Sequence, residues 1–186
     1  MEVPEPRKIL GRFPFQLSGG MCQRIMIAMA LVLRPQVLIA DEPTSSLDVI
    51  LQAEILGQLK KFCRELHSAM ILITHDMGIV ARMAKDVAVI YGGTIAEYSE
   101  VQDLFHRPQH PYTWSLFRSL PRLDLPDQRT LPINGNPPEL SGPLANCPYL
   151  PRCHKAINRC RLESTPQLEE VGVNHKVSSY NMVDYD

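Results

Sequence analysis

The stretch Val37-Leu38-Ile39-Ala40-Asp41-Glu42-Pro43, VLIADEP, decides the fold class of this chain of 186 residues. A short apolar run rich in β-formers leads straight into two acids, the pattern of a buried strand carrying two carboxylates at its C-terminal end. Upstream, Gly19 to Leu33 (GGMCQRIMIAMALVL) reads as a helix with Ser18 as its N-cap and Arg34-Pro35 as its stop. Downstream of Asp48, apolar residues at Ile50, Leu51, Ile55, Leu59, Phe62 and Leu66 mark an amphipathic helix. Met70 to Thr74 (MILIT) predicts a second buried strand, ending in His75-Asp76. A short helix to about Ala84 then leads to Val87–Tyr91 (VAVIY), a third strand, which Gly92-Gly93 turns towards TIAEY. Strand, helix, strand, helix, strand predicts an α/β fold with a parallel sheet covered by helices. In such sheets ligands collect at the carboxyl ends of the strands, where Asp41, Glu42 and His75 all fall.

Composition bounds the remainder. With 45% hydrophobic and 21% charged residues and a formal net charge of -1, the chain has the profile of a globular protein with one core and a small appendage. A near-neutral balance gives no electrostatic case for nucleic acid, which usually needs a basic stripe. The longest apolar run, Ile25 to Leu33, is too short to span a bilayer, and MEVPEPRKIL lacks the apolar core of a signal peptide. The expectation is a cytosolic chain that meets a membrane only through a partner. After about residue 107 the character changes, and eleven of the sixteen prolines lie between Pro108 and Pro166. One further helix is expected from Tyr112 to Leu120, within an otherwise irregular appendage. Of the five cysteines, Cys22 and Cys63 stand alone, whereas Cys147, Cys153 and Cys160 cluster late. In a reducing compartment such a cluster suggests a metal site or free thiols rather than disulfides.

Two local patterns carry chemistry. A helix N-terminus exposes unpaired N–H groups and partial positive charge, and together these bind anions. Gly19 and Gly20 remove Cβ atoms that would hold a phosphate away, and the Ser18 hydroxyl can donate to the same oxygen. The plainer alternative is an ordinary Ser-capped helix after a glycine turn. At the strand end, one carboxylate can hold Mg²⁺ while its neighbour orients or deprotonates a water. His75 is placed to contact a terminal phosphate or that water, or else is structural.

The order LSGGM-x-QR, then an apolar strand with DEPTSSLD, then an apolar strand with TH, closely resembles the nucleotide-binding subunits of ABC transporters. By that resemblance Leu17, Ser18, Gly19, Gly20, Met21 and Gln23 belong to the signature motif. That motif contacts ATP held by the other subunit of a dimer. Asp41 corresponds to the Walker B magnesium carboxylate and Glu42 to the catalytic base. Ser46, Leu47 and Asp48 correspond to the D-loop, and His75 to the switch histidine. The cofactor implied is ATP with Mg²⁺. The implied partners are a second ATPase subunit, identical or not, transmembrane permease subunits and, indirectly, a solute-binding protein. The implied location is the cytoplasmic face of the plasma (inner) membrane.

The resemblance narrows beyond residue 107. Phe105–Pro121 (FHRPQHPYTWSLFRSLP) is similar to the segment that follows the ATPase core in oligopeptide and dipeptide importers, a branch that includes nickel uptake systems. The expected domains are thus a partial ATPase over 1–107 and a transporter-type extension over 108–186. Cys147–Cys160 (CPYLPRCHKAINRC) resembles a cysteine-containing extension that holds a [4Fe–4S] cluster in some relatives. Cys147, Cys153 and Cys160 match three of its four ligands, and Ser179 stands where the fourth cysteine is expected. Serine oxygen is a poor substitute for thiolate. A three-thiolate zinc site completed by His154 or His175, or three unligated thiols, are the other readings. Cys22, where relatives often carry a basic or polar residue, reads as a neutral substitution.

No GxxxxGK[ST] loop occurs in the sequence. The resemblance therefore implies the C-terminal half of such an ATPase, truncated or a fragment, without hydrolysis at its own site. The function implied is ATP-driven import of peptides or similar small solutes. Two alternatives remain: an inactive partner that lends its signature motif or cysteine extension to a full-length subunit, and a metal- or redox-sensing module over residues 140–180.

Overall fold

The computed structural model describes residues 5–45, 47–121, 130–142 and 145–185. They form two compact units, Met1–Met83 and Ala84–Asp186.

In the first unit, a short helix α1 (Pro6–Ile9) and a 3-10 turn (Pro14–Gln16) precede α2 (Gly19–Leu31). Then follow β1 (Val37–Asp41), α3 (Val49–Leu66), β2 (Ala69–Ile73) and α4 (Met77–Met83). The Ser18 side chain caps α2 by accepting the Met21 N–H. Asp48 caps α3 by accepting from Ile50 and Leu51 at 3.1 and 2.9 Å. α3 ends where His67 enters the left-handed region (φ 54°) and the Ser68 N–H closes on the Cys63 carbonyl at 2.8 Å. β1 and β2 pair in parallel, with Val37 opposite Ala69 and Asp41 opposite Ile73. Ile55, Leu56, Leu59 and Cys63 line one stripe of α3 and form a core with Leu38 of β1, Ile27 and Leu31 of α2 and Ile79 of α4. Met70 and Leu72 of β2 pack against this core and Ala40 of β1 is buried, while the alternate residues of both strands face away. Val37, Ile39, Ile71 and Ile73 are each about half exposed or more, as are Met26, Met29, Val32 and Leu33 around α2.

The second unit contains β3 (Asp86–Tyr91), β4 (Thr94–Glu100), α5 (Val101–His106) and α6 (Pro111–Ser119). A 3-10 turn at Leu150–Arg152, α7 (Asn158–Leu162), β5 (Glu169–Gly172) and β6 (His175–Val177) complete it. Its sheet is antiparallel, in the order β3-β4-β6-β5. The expected third parallel strand is corrected here, because Val87–Tyr91 lies in β3 and pairs antiparallel with β4. Gly92 (φ 55°) and Gly93 (φ 78°) are the reason: both take left-handed angles in a two-residue turn, and so short a connection permits only antiparallel pairing. Glycine is required at 92 twice over, since a Cβ there would lie 2.6 Å from the Cβ of Pro148. The C-terminal stretch, expected to be irregular, supplies two strands of this sheet. Tyr91, Tyr112 and Tyr149 pack with ring centroids 4.4–5.3 Å apart and form the core with Ala96.

Among the described residues, no helix is long and apolar enough to cross a membrane.

Candidate functional site

The helix start of the first unit is built as its sequence suggested. Ser18 Oγ accepts the Met21 N–H at 3.3 Å, which leaves the hydroxyl proton free to donate. The first N–H groups of α2 have no intrahelical acceptor. A Cβ on Gly19 would meet nothing within 4 Å, so the turn is open on that side. Gly20 has a packing reason as well: a Cβ there would lie 2.7 Å from Leu51 Cδ2 of α3. Met21 and Gln23 follow on α2, and the Cys22 thiol lies 3.5 Å from the Pro14 carbonyl.

At the strand ends the structure brings Glu42 and His75 together. Glu42 Oε1 accepts the His75 backbone N–H at 3.1 Å and lies 2.7 Å from the ring Nδ1. The Glu42 N–H donates to the Ile73 carbonyl at 2.9 Å, continuing the β1–β2 ladder by one residue. Glu42 itself sits at φ 43°, an uncommon angle for a residue with a Cβ and one found often at functional sites. The His75 ring is 84% exposed, and Nδ1 engagement leaves Nε2 open to solvent. Glu42 and His75 line an open pocket with Thr44, Ser45, Gln52, Thr74 and Asp76. Asp76 Oδ1 accepts from Gly78 and Ile79 at 2.8 and 3.2 Å and starts α4, while Oδ2 accepts from Gln52 at 3.3 Å.

Other expected site residues stand apart from that pocket. Asp41 ends β1 with an exposed side chain. The Asp48 carboxylate is taken up by the cap of α3, and Leu47 packs against the core. Ser46 lies outside the described residues. The turn at Ser18–Gly20 contributes nothing to the Glu42–His75 pocket.

In the second unit, Cys147, Cys153, Cys160 and Ser179 do line one small pocket. They do not make a cluster site there. The Ser179 hydroxyl is already committed, donating to the Asn181 carbonyl at 3.0 Å and accepting the Asn181 N–H at 3.2 Å. Burial raises the Cys147 and Cys153 thiols above their ordinary range, Cys153 to about 11, which opposes thiolate formation. Among the described residues, no three His, Cys, Asp or Glu side chains group so as to hold a metal ion. Of the two histidines proposed for zinc, His175 Nε2 is engaged 2.7 Å from Glu97 Oε1, and His154 packs on Trp114 with ring centroids 4.9 Å apart.

Sequence reasoning missed Glu97. It is fully buried, and it also accepts the backbone N–H groups of Gln109 at 2.7 Å and His110 at 3.0 Å. One carboxylate thereby ties β4, the lead into α6 and β6 together. Its only signal in the sequence is an acid inside an otherwise apolar and aromatic strand, TIAEY.

Acidic and histidine side chains at the carboxyl ends of parallel strands, with a helix that opens on a serine-capped glycine turn, place the first unit among α/β proteins with polar groups gathered at their strand ends. Comparison with known proteins narrows the class. Residues 96–160 match the family model for the oligopeptide/dipeptide transporter C-terminal region, and residues 3–45 match that for the ABC transporter. The chain is 49% identical over 158 residues to the dipeptide transport ATP-binding protein DppD of Bacillus subtilis, covering 85% of this chain and 47% of that protein. It is 46% identical over 170 residues to the oligopeptide transport ATP-binding protein OppD of Escherichia coli, covering 91% and 50%. A dimeric ATP-binding cassette solved in a post-hydrolysis state with ADP and Pi aligns with TM-score 0.46 at 30% identity, over 50% of this chain and 40% of that one. Over most of its length the chain is similar to a C-terminal part of the ATP-binding subunits of oligopeptide and dipeptide ABC transporters. It spans about half the length of the curated relatives it matches.

Proposed function

We propose that this chain supplies the signature turn and the acid–histidine pair of an ATPase that drives uptake of peptides or similar small solutes. The observation that carries the reading is the 2.7 Å contact between Glu42 and His75 at the ends of two parallel strands. Bound Mg²⁺–ATP supplies a cleavable phosphoanhydride and a cation that offsets phosphate charge. Asp41, exposed at the end of β1, is the carboxylate that fits the cation. Glu42 is fixed through Oε1, and its Oε2, without a partner among the described residues, is the base that takes a proton from the attacking water. His75 fixes that carboxylate and offers Nε2 towards the phosphate. The Ser18 hydroxyl and the first N–H groups of α2 meet the phosphate of an ATP held by a second subunit.

On this reading residues 1–107 act in ATP handling and 108–186 form the transporter-type extension. The phosphate loop serving Asp41 and Glu42 comes from outside these 186 residues. The partners are a second ATPase subunit and membrane permeases on the cytoplasmic face, with a solute-binding protein beyond them. The open Gly19 side of the turn also supports a narrower role, in which the chain lends only its signature turn to a full-length subunit.

The isolated chain is expected to release no phosphate from ATP. Mixed with a full-length dipeptide-type ATP-binding subunit, it is expected to co-purify and alter that subunit's turnover, and Ser18→Arg is expected to abolish the effect. Absence of association refutes the partner assignment. Turnover by the isolated chain that disappears in Glu42→Gln refutes the need for an outside phosphate loop.

A further inference from the structure

Gln23 belongs by position to the signature helix, yet its side chain is directed elsewhere. Its Nε2 donates to the carbonyl of Pro43, the residue directly after Glu42, in a partly buried contact that spans twenty positions of sequence. Beside it, Arg24 Nη2 donates to Glu54 Oε1 of α3 at 2.8 Å, with the Arg24 side chain only 16% exposed. One turn earlier, Gly20 lets Leu51 of α3 sit against α2. The N-terminal half of α2 is thus fixed to α3 by packing and an ion pair, and to the Glu42–Pro43 loop by one amide.

That loop depends on such holds. Glu42 occupies a left-handed angle that the local chain does not favour, and such residues persist only where surrounding structure fixes them. On one side the Glu42 N–H is held by the Ile73 carbonyl and its carboxylate by His75. On the other side, Gln23 holds the next carbonyl. We infer that Gln23 is a positioning residue that couples the turn at Ser18–Gly20 to the carboxylate of Glu42. An anion that settles on the turn moves the start of α2, and the Gln23 amide carries that movement into the loop bearing Glu42. The inference rests on the reading of Ser18–Gly20 as a phosphate-contacting turn, and it moves Gln23 from nucleotide contact to linkage between two sites.

The test is amide hydrogen exchange on the full chain, alone and mixed with an ATP-loaded full-length dipeptide-type subunit. The reporters are the Ser45 and Leu47 N–H groups, which close turns on the carbonyls of Glu42 and Thr44. In the free chain, Gln23→Met, similar in length but without a donor, is expected to speed exchange at both by about fivefold, the effect of losing one hydrogen bond. Exchange across Ile55–Cys63 is expected to stay unchanged, and Gln23→Lys, which restores a donor, is expected to recover slow exchange. Unchanged exchange at Ser45 and Leu47 in Gln23→Met overturns the inference. So does equal acceleration through Ile55–Cys63, or failure of the lysine variant to rescue. In the mixture, the wild-type chain is expected to gain protection at Ser45 and Leu47, and Gln23→Met to associate without that gain. Association without any gain in the wild type overturns the coupling, whereas no association overturns the partner reading and leaves the free-chain comparison to judge the link.

Discussion

Glu97→Ala offers the sharpest test of how the second unit holds together. The substitution removes a fully buried carboxylate with three short partners: the Gln109 N–H at 2.7 Å, the His110 N–H at 3.0 Å and His175 Nε2 at 2.7 Å. The His110 N–H is left buried and that of Gln109 part-buried, and an unsatisfied buried donor costs roughly 1–3 kcal/mol. His175, itself buried, loses its partner as well. These terms do not add fully, and together they are expected to cost about 2–4 kcal/mol. That is a large share of the 5–15 kcal/mol or so available to a small domain. The assay is urea unfolding followed by the fluorescence of Trp114, the single tryptophan, which lies in α6 and reports this unit. His175→Ala is expected to cost less, because Glu97 keeps both backbone donors. The double variant is expected to lose less than the two single losses combined. A loss below about 1 kcal/mol for Glu97→Ala, the scale of an exposed ion pair, refutes the argument.

Two further outcomes follow from the same unit. His110 is buried and caps α6 by accepting the Tyr112 N–H at Nδ1, and burial lowers its pKa to about 4, against a smaller raising effect from the Ser178 backbone. The unfolded chain, with an ordinary histidine pKa near ~6.5, therefore binds the proton first. Stability from this group is complete above about pH 6.5 and falls as pH drops towards 4, at up to about 1.4 kcal/mol per pH unit. His110→Asn, which keeps a capping side chain, is expected to flatten that part of a urea-midpoint profile, and parallel wild-type and variant profiles refute the assignment. For the cysteine pocket, protein purified without oxygen is expected to hold iron, sulfide and zinc below stoichiometric levels, and EDTA to leave the Trp114 unfolding midpoint unchanged. Stoichiometric metal, or a midpoint lowered by the chelator, refutes the account of Ser179 as a committed hydroxyl.

What was legible in the sequence was local. Ser18 and Asp48 announce their caps because a capping side chain bonds N–H groups two or three residues ahead. VLIA and MILIT read as strands from short apolar runs alone, and the DE and TH that follow them fall together because adjacent parallel strands end side by side. The sheet assignment of Val87–Tyr91 was not legible, since a strand's pattern does not name its neighbour. The Glu97–His175 contact joins residues 78 positions apart, and EEVG and HKV are too short and polar to announce strands. Glu97 is one acid inside TIAEY, and nothing local marks it as buried. Only the fold reveals that β6 and the lead into α6 close over it.

The same limit explains the apolar surface of the first unit. VLIA does not alternate, and a strand apolar at every position is the mark of a sheet covered on both faces. In this structure Leu38 and Ala40 meet the core, while Val37 and Ile39, with Ile71 and Ile73 beside them, have no cover among the described residues. α2 repeats the pattern, with Ile27 and Leu31 packed and Met26, Met29, Val32 and Leu33 exposed. Among the described residues, a β1–β2 pair without a third strand and a helix apolar on both sides leave much of their apolar surface uncovered. That mismatch has a physical counterpart in the comparison with relatives, about half of whose length this chain spans. Glu42 and His75 stand together at the strand ends, while apolar residues of β1, β2 and α2 lie uncovered among the described residues.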